Sequence, residues 1–246
     1  MKNYLMTFSI IARNPKTGEI GGAAATGNLC VGGWVLRGDI KKGITTSQGF
    51  YPSTVWGENI LINLNKFSPS VASNKIIKKD RNKNYRQFSC MNKFGKGFSF
   101  TGNKNIKFYD QIVLPNLVIS GNMLSNNKII AQIAKNFSLK NKSLSQSLID
   151  ALKIGKKYGS DKRGLMSAAI LVLNENKPPI NIRVDYDINP ISKLEKILKM
   201  TNRPNYKNWL RKLPTNKNNI SEYSKLHKYN CKMLKTCRGS NKITLY

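Results

Sequence analysis

The chain has 246 residues, 40% of them hydrophobic, and a formal net charge of +30. No apolar run approaches the roughly 20 residues of a membrane-spanning helix, and no small-residue cleavage site follows the apolar N-terminus, so we expect a cytoplasmic protein without a signal peptide. Only nine of the 42 basic residues are arginine, and this scattered lysine excess, typical of an AT-rich genome, favours compositional bias over nucleic-acid binding.

The first fifty residues predict two hairpins. Residues 7–13 alternate in polarity as a strand does, and the Asn-Pro-Lys-Thr-Gly segment at 14–18 predicts a turn. Residues 20–27 return as a strand of small side chains, which leave room for close packing over that strand. The second predicted hairpin consists of strand 31–36, a turn at Arg37, Gly38 and Asp39, and strand 43–49.

Further along the chain, helices are predicted in pairs between additional strands. Ser68 followed by Pro69, and Ser143, predict helix starts. Hairpins dominate and helices come in pairs, which predicts an α+β architecture of antiparallel sheets with helices on their outer faces. Helices are expected at 53–67, after Ser68, at 126–137, 143–157 and 190–200, and strands at 85–91, 97–101, 116–120, 165–173 and 180–185.

The last 46 residues differ from the rest in composition. Residues 201–246 carry a net charge of +10, and their apolar residues show no steady period. We therefore predict a domain over 6–200 and a basic, mostly solvated tail over 201–246, with one short helix near 205–213. A polybasic contact segment is the alternative for this tail.

Cysteine and histidine are too sparse for several kinds of catalytic site. The spacing of Cys30, Cys90, Cys231 and Cys237 fits no zinc motif, and the one histidine, His227, lies in the tail. This argues against a Ser-His-Asp catalytic triad and against a His-ligated metal site, and no cofactor is expected. A late disulfide between Cys231 and Cys237 stays open, although a reducing compartment is the default.

Six segments, in order, resemble one family. They are MTFSIIARNPKTGEIGGAAA from Met6, TSQG at 46–49, YRQFS at 85–89, SGNML at 120–124, GSDKRGLMSAAILV at 159–172 and IRVDYDINPISKLEKIL at 182–198. Together they resemble the Ntn-hydrolase (N-terminal nucleophile) family catalogued as domain of unknown function 1028. The resemblance runs from residue 6 to about 200.

The resemblance implies a four-layer αββα sandwich of two antiparallel sheets between helix layers. It implies that Thr7 becomes the first residue once Met6 is removed, and from such a nucleophile we expect hydrolysis of a small amide or related C–N bond. A threonine with a free amine carries its own base, so no histidine is needed. Ntn relatives often assemble, so a homo-oligomer is expected. Five residues precede Met6, and Leu165-Met166 stands where relatives commonly have Arg-Gln.

Six polar residues near predicted strand ends or turns are candidates for binding the substrate or its oxyanion. A backbone amide beside an amide side chain offers donors for an oxyanion. Each candidate also has a structural interpretation, such as capping, a local salt bridge or close packing. The candidates are Asn28, Gln48, Asn122, Asp161, Arg163 and Ser167.

Two other functions stay open beside the hydrolase. In the first, the chain is a catalytically inactive binding or regulatory relative of the same fold, in which the residues before Met6 block the Thr7 amine. In the second, it is a basic nucleic-acid-associated protein that uses the tail at 201–246. The mass of the mature protein distinguishes the hydrolase from the inactive relative.

Overall fold

The computed structural model describes residues 6–106, 108–159 and 164–217. Within them, the strands form two antiparallel sheets, a six-stranded one in the order β10-β9-β2-β1-β8-β7 and a four-stranded one in the order β3-β4-β5-β6. The strands are β1 (Thr7–Arg13), β2 (Ile20–Thr26), β3 (Leu36–Asp39), β4 (Gly43–Gly49), β5 (Arg86–Asn92), β6 (Gly97–Thr101), β7 (Asp110–Leu114), β8 (Leu117–Asn122), β9 (Ser167–Leu173) and β10 (Ile180–Val184).

Helices cover the outer face of each sheet. The helices are α1 (Val31–Trp34), α2 (Thr54–Asn63), α3 (Pro69–Ile77), α4 (Ile129–Asn136), α5 (Leu144–Tyr158), α6 (Pro190–Met200) and α7 (Pro204–Leu210). Helices α4, α5 and α6 contact the six-stranded sheet, and α2 and α3 contact the four-stranded sheet. The expected αββα sandwich is confirmed.

Local sequence signals account for the beginnings of these helices. Ser143 Oγ accepts a hydrogen bond from the Gln146 amide at 3.2 Å and begins α5. Ser68 caps α3, with Pro69 at its first position, where a missing N–H costs nothing. Gly155 of α5 lies so close to the Phe8 ring that a Cβ there would come within 2.3 Å of it. The glycine therefore lets α5 approach β1.

The predicted strand over 31–36 is wrong. Residues Val31–Trp34 form a single helical turn, preceded by Cys30 in the left-handed conformation at φ 57°. The Val31 amide donates to Ser167 Oγ at 3.1 Å, and a Cβ on Gly32 would meet Arg183 Cγ at 2.6 Å. Contacts from distant strands therefore determine this turn, which the apolar sequence alone does not reveal.

Two further differences concern turns and edges. The predicted turn at Arg37–Asp39 is wrong, because these residues belong to β3 and the chain reverses after Asp39, whose Oδ1 accepts from the Lys41 amide at 2.8 Å. Strand β7 is an element that the sequence pattern does not predict. It is a five-residue edge strand, partly exposed along its length, and such strands carry a weak period.

Alternate residues of β1 face two different layers. Phe8, Ile10 and Ala12 belong to the apolar cluster that includes α4, α5 and α6. Thr7, Ser9 and Ile11 face the other way, since Ser9 bonds to Thr46 of β4 and Ile11 clusters with Ile44. The layer between the two sheets, called the inter-sheet layer below, therefore begins with the Thr7 side chain.

The chain divides into two compact units, Met1–Asn174 with Pro179–Met200, and Glu175–Pro178 with Thr201–Tyr246. In the second unit, α7 is exposed, and Tyr206 and Trp209 stack with ring centroids 5.6 Å apart. The predicted boundary at residue 200 stays a prediction. None of the helices in the described residues is both long and apolar enough to cross a membrane.

Candidate active site

Thr7 lies at the beginning of the central strand of the six-stranded sheet. It is opposite Thr26 of β2 on one side and Asn122 of β8 on the other. Because the Gly27 amide donates to the Met6 carbonyl oxygen at 3.0 Å, Thr7 and Thr26 form a non-hydrogen-bonded pair, the kind whose side chains come closest. Their hydroxyl oxygens are 2.8 Å apart, and Thr7 is only 3% exposed.

The hydroxyl of Thr26 joins this pair to the loop that follows β2. Thr26 Oγ1 accepts from the Asn28 amide at 3.2 Å. Ser167, opposite Thr26 on β9, donates to the Asn28 carbonyl oxygen at 2.7 Å. The Asn28 side chain is exposed and accepts from the Leu29 amide at 2.8 Å. Ser167 therefore fixes the loop, and the loop fixes Thr26.

The Asn122 side chain connects the two sheets beside Thr7. With its amide oriented to satisfy both neighbours, its nitrogen donates to the Thr7 carbonyl oxygen at 3.3 Å and its oxygen accepts from the Gly49 amide at 2.7 Å. Asn122 is completely buried. Both ends of the amide bind backbone, so in this arrangement Asn122 positions Thr7 relative to the end of β4.

Gln48 precedes Gly49 on β4 and is also completely buried. Its Nε2 donates to Gln87 Oε1 at 2.7 Å, and Gln87 Nε2 donates to the Gly121 carbonyl oxygen at 2.9 Å. Among the described residues, Gln48 Oε1 has no hydrogen-bond partner. The Gln48 amide therefore offers an acceptor, not a donor, to the inter-sheet layer.

Several residues at this end of the inter-sheet layer carry no signal that marks them as site residues in the sequence. Thr26 could have been found from the register of the predicted hairpin, which places it opposite Thr7. The others sit on buried strand faces, where polarity alone does not separate an inter-sheet position from a solvent-facing one. The buried polar residues here, called the polar half below, are Thr7, Ser9, Thr26, Thr46, Gln48, Gln87, Ser89, Ser120 and Asn122.

The polar half holds no charge in the residues that the structure describes, and none of its recorded hydrogen bonds involves an ionisable side chain. Asp161 and Arg163, two of the predicted site residues, lie outside the described residues. In the described part of the chain, no three His, Cys, Asp or Glu side chains come together as a metal site would require. Thr7 therefore has only neutral described partners.

Met6 covers the main-chain nitrogen of Thr7. It is 4% exposed and packs in the cluster on the helix side of the six-stranded sheet. A cavity of about 350 Å³ borders Met6, with Leu165 and Ile191 in its wall. Removal of the chain up to Met6 would make the Thr7 nitrogen a primary amine.

A family model, described as a family of unknown function (DUF1028), matches residues 7–194. The chain belongs to the DUF1028 family. The match begins on Thr7, the residue at the start of the central strand. The family resemblance inferred from the six segments is therefore confirmed.

Two solved structures are similar to this DUF1028 member. The crystal structure of protein SPO2555 from Silicibacter pomeroyi, also assigned to DUF1028, is 39% identical with a TM-score of 0.84, over 88% of this chain and 95% of that one. Eukaryotic HslV from Trypanosoma brucei is 13% identical with a TM-score of 0.42, over 68% of this chain and 99% of that one. No curated protein matches significantly.

Proposed function

We propose that the protein is an N-terminal-nucleophile hydrolase that cleaves a small amide, or a related C–N bond, through an ester with Thr7. The observation that carries the proposal is the position of Thr7. It begins both the family match and the central strand, and its buried hydroxyl is hydrogen-bonded to Thr26 at 2.8 Å. A buried hydroxyl held in one orientation is pre-organised for attack.

The proposed reaction begins with loss of the residues up to Met6, which makes the Thr7 nitrogen a primary amine. Such an amine has a pKa of about 7.7–8.0 and is partly neutral near pH 7. It takes the proton of Thr7 Oγ1 as that oxygen bonds to the substrate carbonyl carbon. The C–N bond then breaks, and the proton passes to the leaving amine. Water hydrolyses the resulting ester and restores Thr7.

The oxyanion of this reaction needs a donor, and the Gly27 amide is a candidate. It donates to the Met6 carbonyl oxygen at 3.0 Å, so departure of Met6 would leave this N–H without that acceptor beside the Thr7 nitrogen. A backbone N–H fixed by a strand costs no reorganisation when charge develops. In this scheme Asn122 and Ser167 are positioning residues, since their polar atoms bind backbone.

One observation favours a second candidate, the inactive relative. Met6 is buried, and its carbonyl oxygen is hydrogen-bonded within the sheet. If residues up to Met6 stay attached, the Thr7 nitrogen is an amide and cannot act as a base. The fold would then serve binding or regulation.

The mass of the purified protein, measured with β-lactone labelling, decides between the two candidates. We expect the active form to begin at Thr7 and to gain one lactone adduct on Thr7. Thr17, an exposed threonine in the first turn, gives the matched control, because Thr17→Ala should leave the adduct in place. A full-length protein that still carries Met6 and labels on Thr7 would rule out the amine as base.

Assembly into a homo-oligomer stays a prediction, as does the division into a domain at 6–200 and a basic tail at 201–246. Sedimentation of the protein with and without residues 201–246 tests both. If removing the tail leaves the number of subunits in the assembly and the melting temperature unchanged, the tail is dispensable for the fold and its assembly.

A further inference from the structure

A buried acceptor without a partner lies on β4. Gln48 Oε1 is inaccessible to solvent, and no described group donates to it. Leaving a buried carbonyl oxygen without a hydrogen bond costs stability, because the bonds to water that it loses on folding are not replaced. Such groups are rare in folded proteins, and a role in catalysis or binding is one explanation for them.

The orientation of this amide follows from a chain of hydrogen bonds that begins at the backbone. The Gly121 carbonyl oxygen can only accept, so the Gln87 atom 2.9 Å from it must be the amide nitrogen. Gln87 therefore presents its oxygen to Gln48, and Gln48 must donate with its own nitrogen at 2.7 Å. The remaining atom, Gln48 Oε1, is fixed as an acceptor. Rotating the amide would place two oxygens against each other.

The acceptor lies on the face of β4 that meets the Thr7 strand. Ile44, Thr46 and Gln48 alternate on this face. Thr46 is hydrogen-bonded across the layer to Ser9, two residues from Thr7. Gly49, next to Gln48, is joined to the Thr7 carbonyl oxygen through Asn122. These two links bring Gln48 to the same end of the layer as the Thr7 hydroxyl.

From this geometry, we infer that Gln48 Oε1 accepts a hydrogen bond from the N–H of the scissile amide while Thr7 attacks its carbonyl. This inference rests on the proposed function and narrows its substrate class. The protein would cleave amides that carry hydrogen on the scissile nitrogen, and would discriminate against tertiary amides and esters. A site with a buried acceptor rejects an analogue that lacks the matching donor, because the acceptor is then left unpaired.

Three strained acylating probes separate this inference from the proposed function. A β-lactone has no nitrogen and reports only whether Thr7 is nucleophilic. An N-unsubstituted β-lactam and its N-methyl counterpart differ in the N–H that Gln48 would accept. With protein translated from Met6, we expect the lactam with an N–H to acylate Thr7 at least about 100-fold faster than the N-methyl lactam.

Variants at Gln48 then assign this selectivity to one atom. Gln48→Met should reduce the ratio of the two lactam rates to near 1 and preserve labelling by the lactone. In Gln48→Glu, a protonated carboxyl group can still donate to Gln87 Oε1 and present its other oxygen to the substrate, so the ratio should persist at low pH. Ionisation removes this donor and places a carboxylate oxygen against Gln87 Oε1, so the side chain should turn away and the ratio should fall. Gln111→Met is the matched control. It removes a glutamine oxygen that already has a partner, since Gln111 Oε1 accepts from Thr101 at 2.7 Å. It should therefore not change the ratio of the two lactam rates.

Each other outcome overturns a defined part of the argument. Equal rates for the two lactams in the unmodified protein, or a ratio that survives Gln48→Met, would refute the role of Gln48 and leave the hydrolase intact. Absence of Thr7 labelling by the lactone and by both lactams would refute both. A Gln48→Met protein that fails to fold, detected by its melting temperature, leaves the decision to Gln48→Glu and its pH dependence.

Discussion

The two halves of the inter-sheet layer lie on the same five strands, β1, β2, β4, β5 and β8, but differ completely in chemistry. At one end of β1, Thr7 and Ser9 face the buried side chains of the polar half. At the other end, Ile11 packs in a cluster without polar side chains, called the apolar half below. The apolar half consists of Ile11, Ile20, Ile44, Met91 and Val118.

This difference separates the part of the layer that stabilises the fold from the part that contributes little stability. Burial of an isoleucine side chain contributes about 1.5–3 kcal/mol. A buried hydroxyl or amide, in contrast, contributes little net free energy even when paired, and costs stability when unpaired. The Ser89 hydroxyl donates across the layer to Ser120 at 3.0 Å, and the Ser9 hydroxyl donates across it to Thr46 at 3.2 Å. A layer built for stability alone would be apolar throughout, so the polar half is where function is expected.

The largest expected effect concerns the nucleophile. Thr7→Ala should reduce amide hydrolysis by at least about 1000-fold, because the attacking oxygen is removed. The melting temperature should change only slightly, since one hydroxyl hydrogen bond contributes about 1 kcal/mol. Thr7→Ser, which retains the oxygen, is the matched variant and should keep measurable activity. Full activity of Thr7→Ala would place the chemistry elsewhere.

The second effect belongs to the apolar half. Ile44 is fully buried, so Ile44→Ala should lower the free energy of unfolding by about 2–5 kcal/mol through lost burial and a cavity. Labelling of Thr7 below the melting temperature should persist. Ile62 is 61% exposed on α2, and Ile62→Ala provides the control with almost no change. Denaturant titration measures both, and loss of labelling in folded Ile44→Ala would show that the halves are not separable.

The contrast between the halves also shows which residues of the layer can be predicted from the sequence and which cannot. Alternation along residues 7–13 and the turn that follows predict the first hairpin, and the family segments identify Thr7 and the sandwich. Alternation shows which residues share a face, but not that a second sheet covers it. Gln87 and Ser120 were therefore missed, although both are buried beside predicted candidates. Position, not residue type, makes them part of the polar half.

The roles of the predicted candidates depend on the same long-range pairing. Gln48 and Asn122 are predicted as substrate or oxyanion residues from strand ends alone. The orientation of the Gln48 amide follows from Gln87, which is itself oriented by the Gly121 carbonyl oxygen. The orientation of the Asn122 amide follows from the Gly49 amide, which is also distant in sequence. The helical turn at Val31–Trp34 has a similar origin in contacts with β9 and β10. No local pattern contains this information.

A smaller effect is expected at the connection between the sheets. Asn122→Ala removes the acceptor of the Gly49 amide and the donor to the Thr7 carbonyl oxygen. Leaving these groups unpaired should cost about 1–3 kcal/mol of unfolding free energy and reduce the rate of Thr7 acylation. Asn59 is exposed on α2, so Asn59→Ala is the matched control. An unchanged acylation rate in Asn122→Ala would show that the amide does not position Thr7.

The smallest expected effect concerns the stability of the protein in acid, and it arises from a residue outside both halves. Outside the layer, a hydrogen bond from Lys153 holds the pKa of Glu195 below its ordinary value, against the opposing effect of burial. A depressed carboxyl pKa stabilises the fold above the ordinary pKa of about 4.3, and this contribution is lost as the pH falls through the folded-state value. Glu195→Gln should therefore cost about 0.5 kcal/mol near pH 7 and progressively less below pH 4. The two proteins should show parallel stability curves above pH 5 in denaturant titrations, because Glu195 is then ionised in both the folded and the unfolded state. A difference between the curves that grows from pH 5 to pH 8 would contradict this assignment.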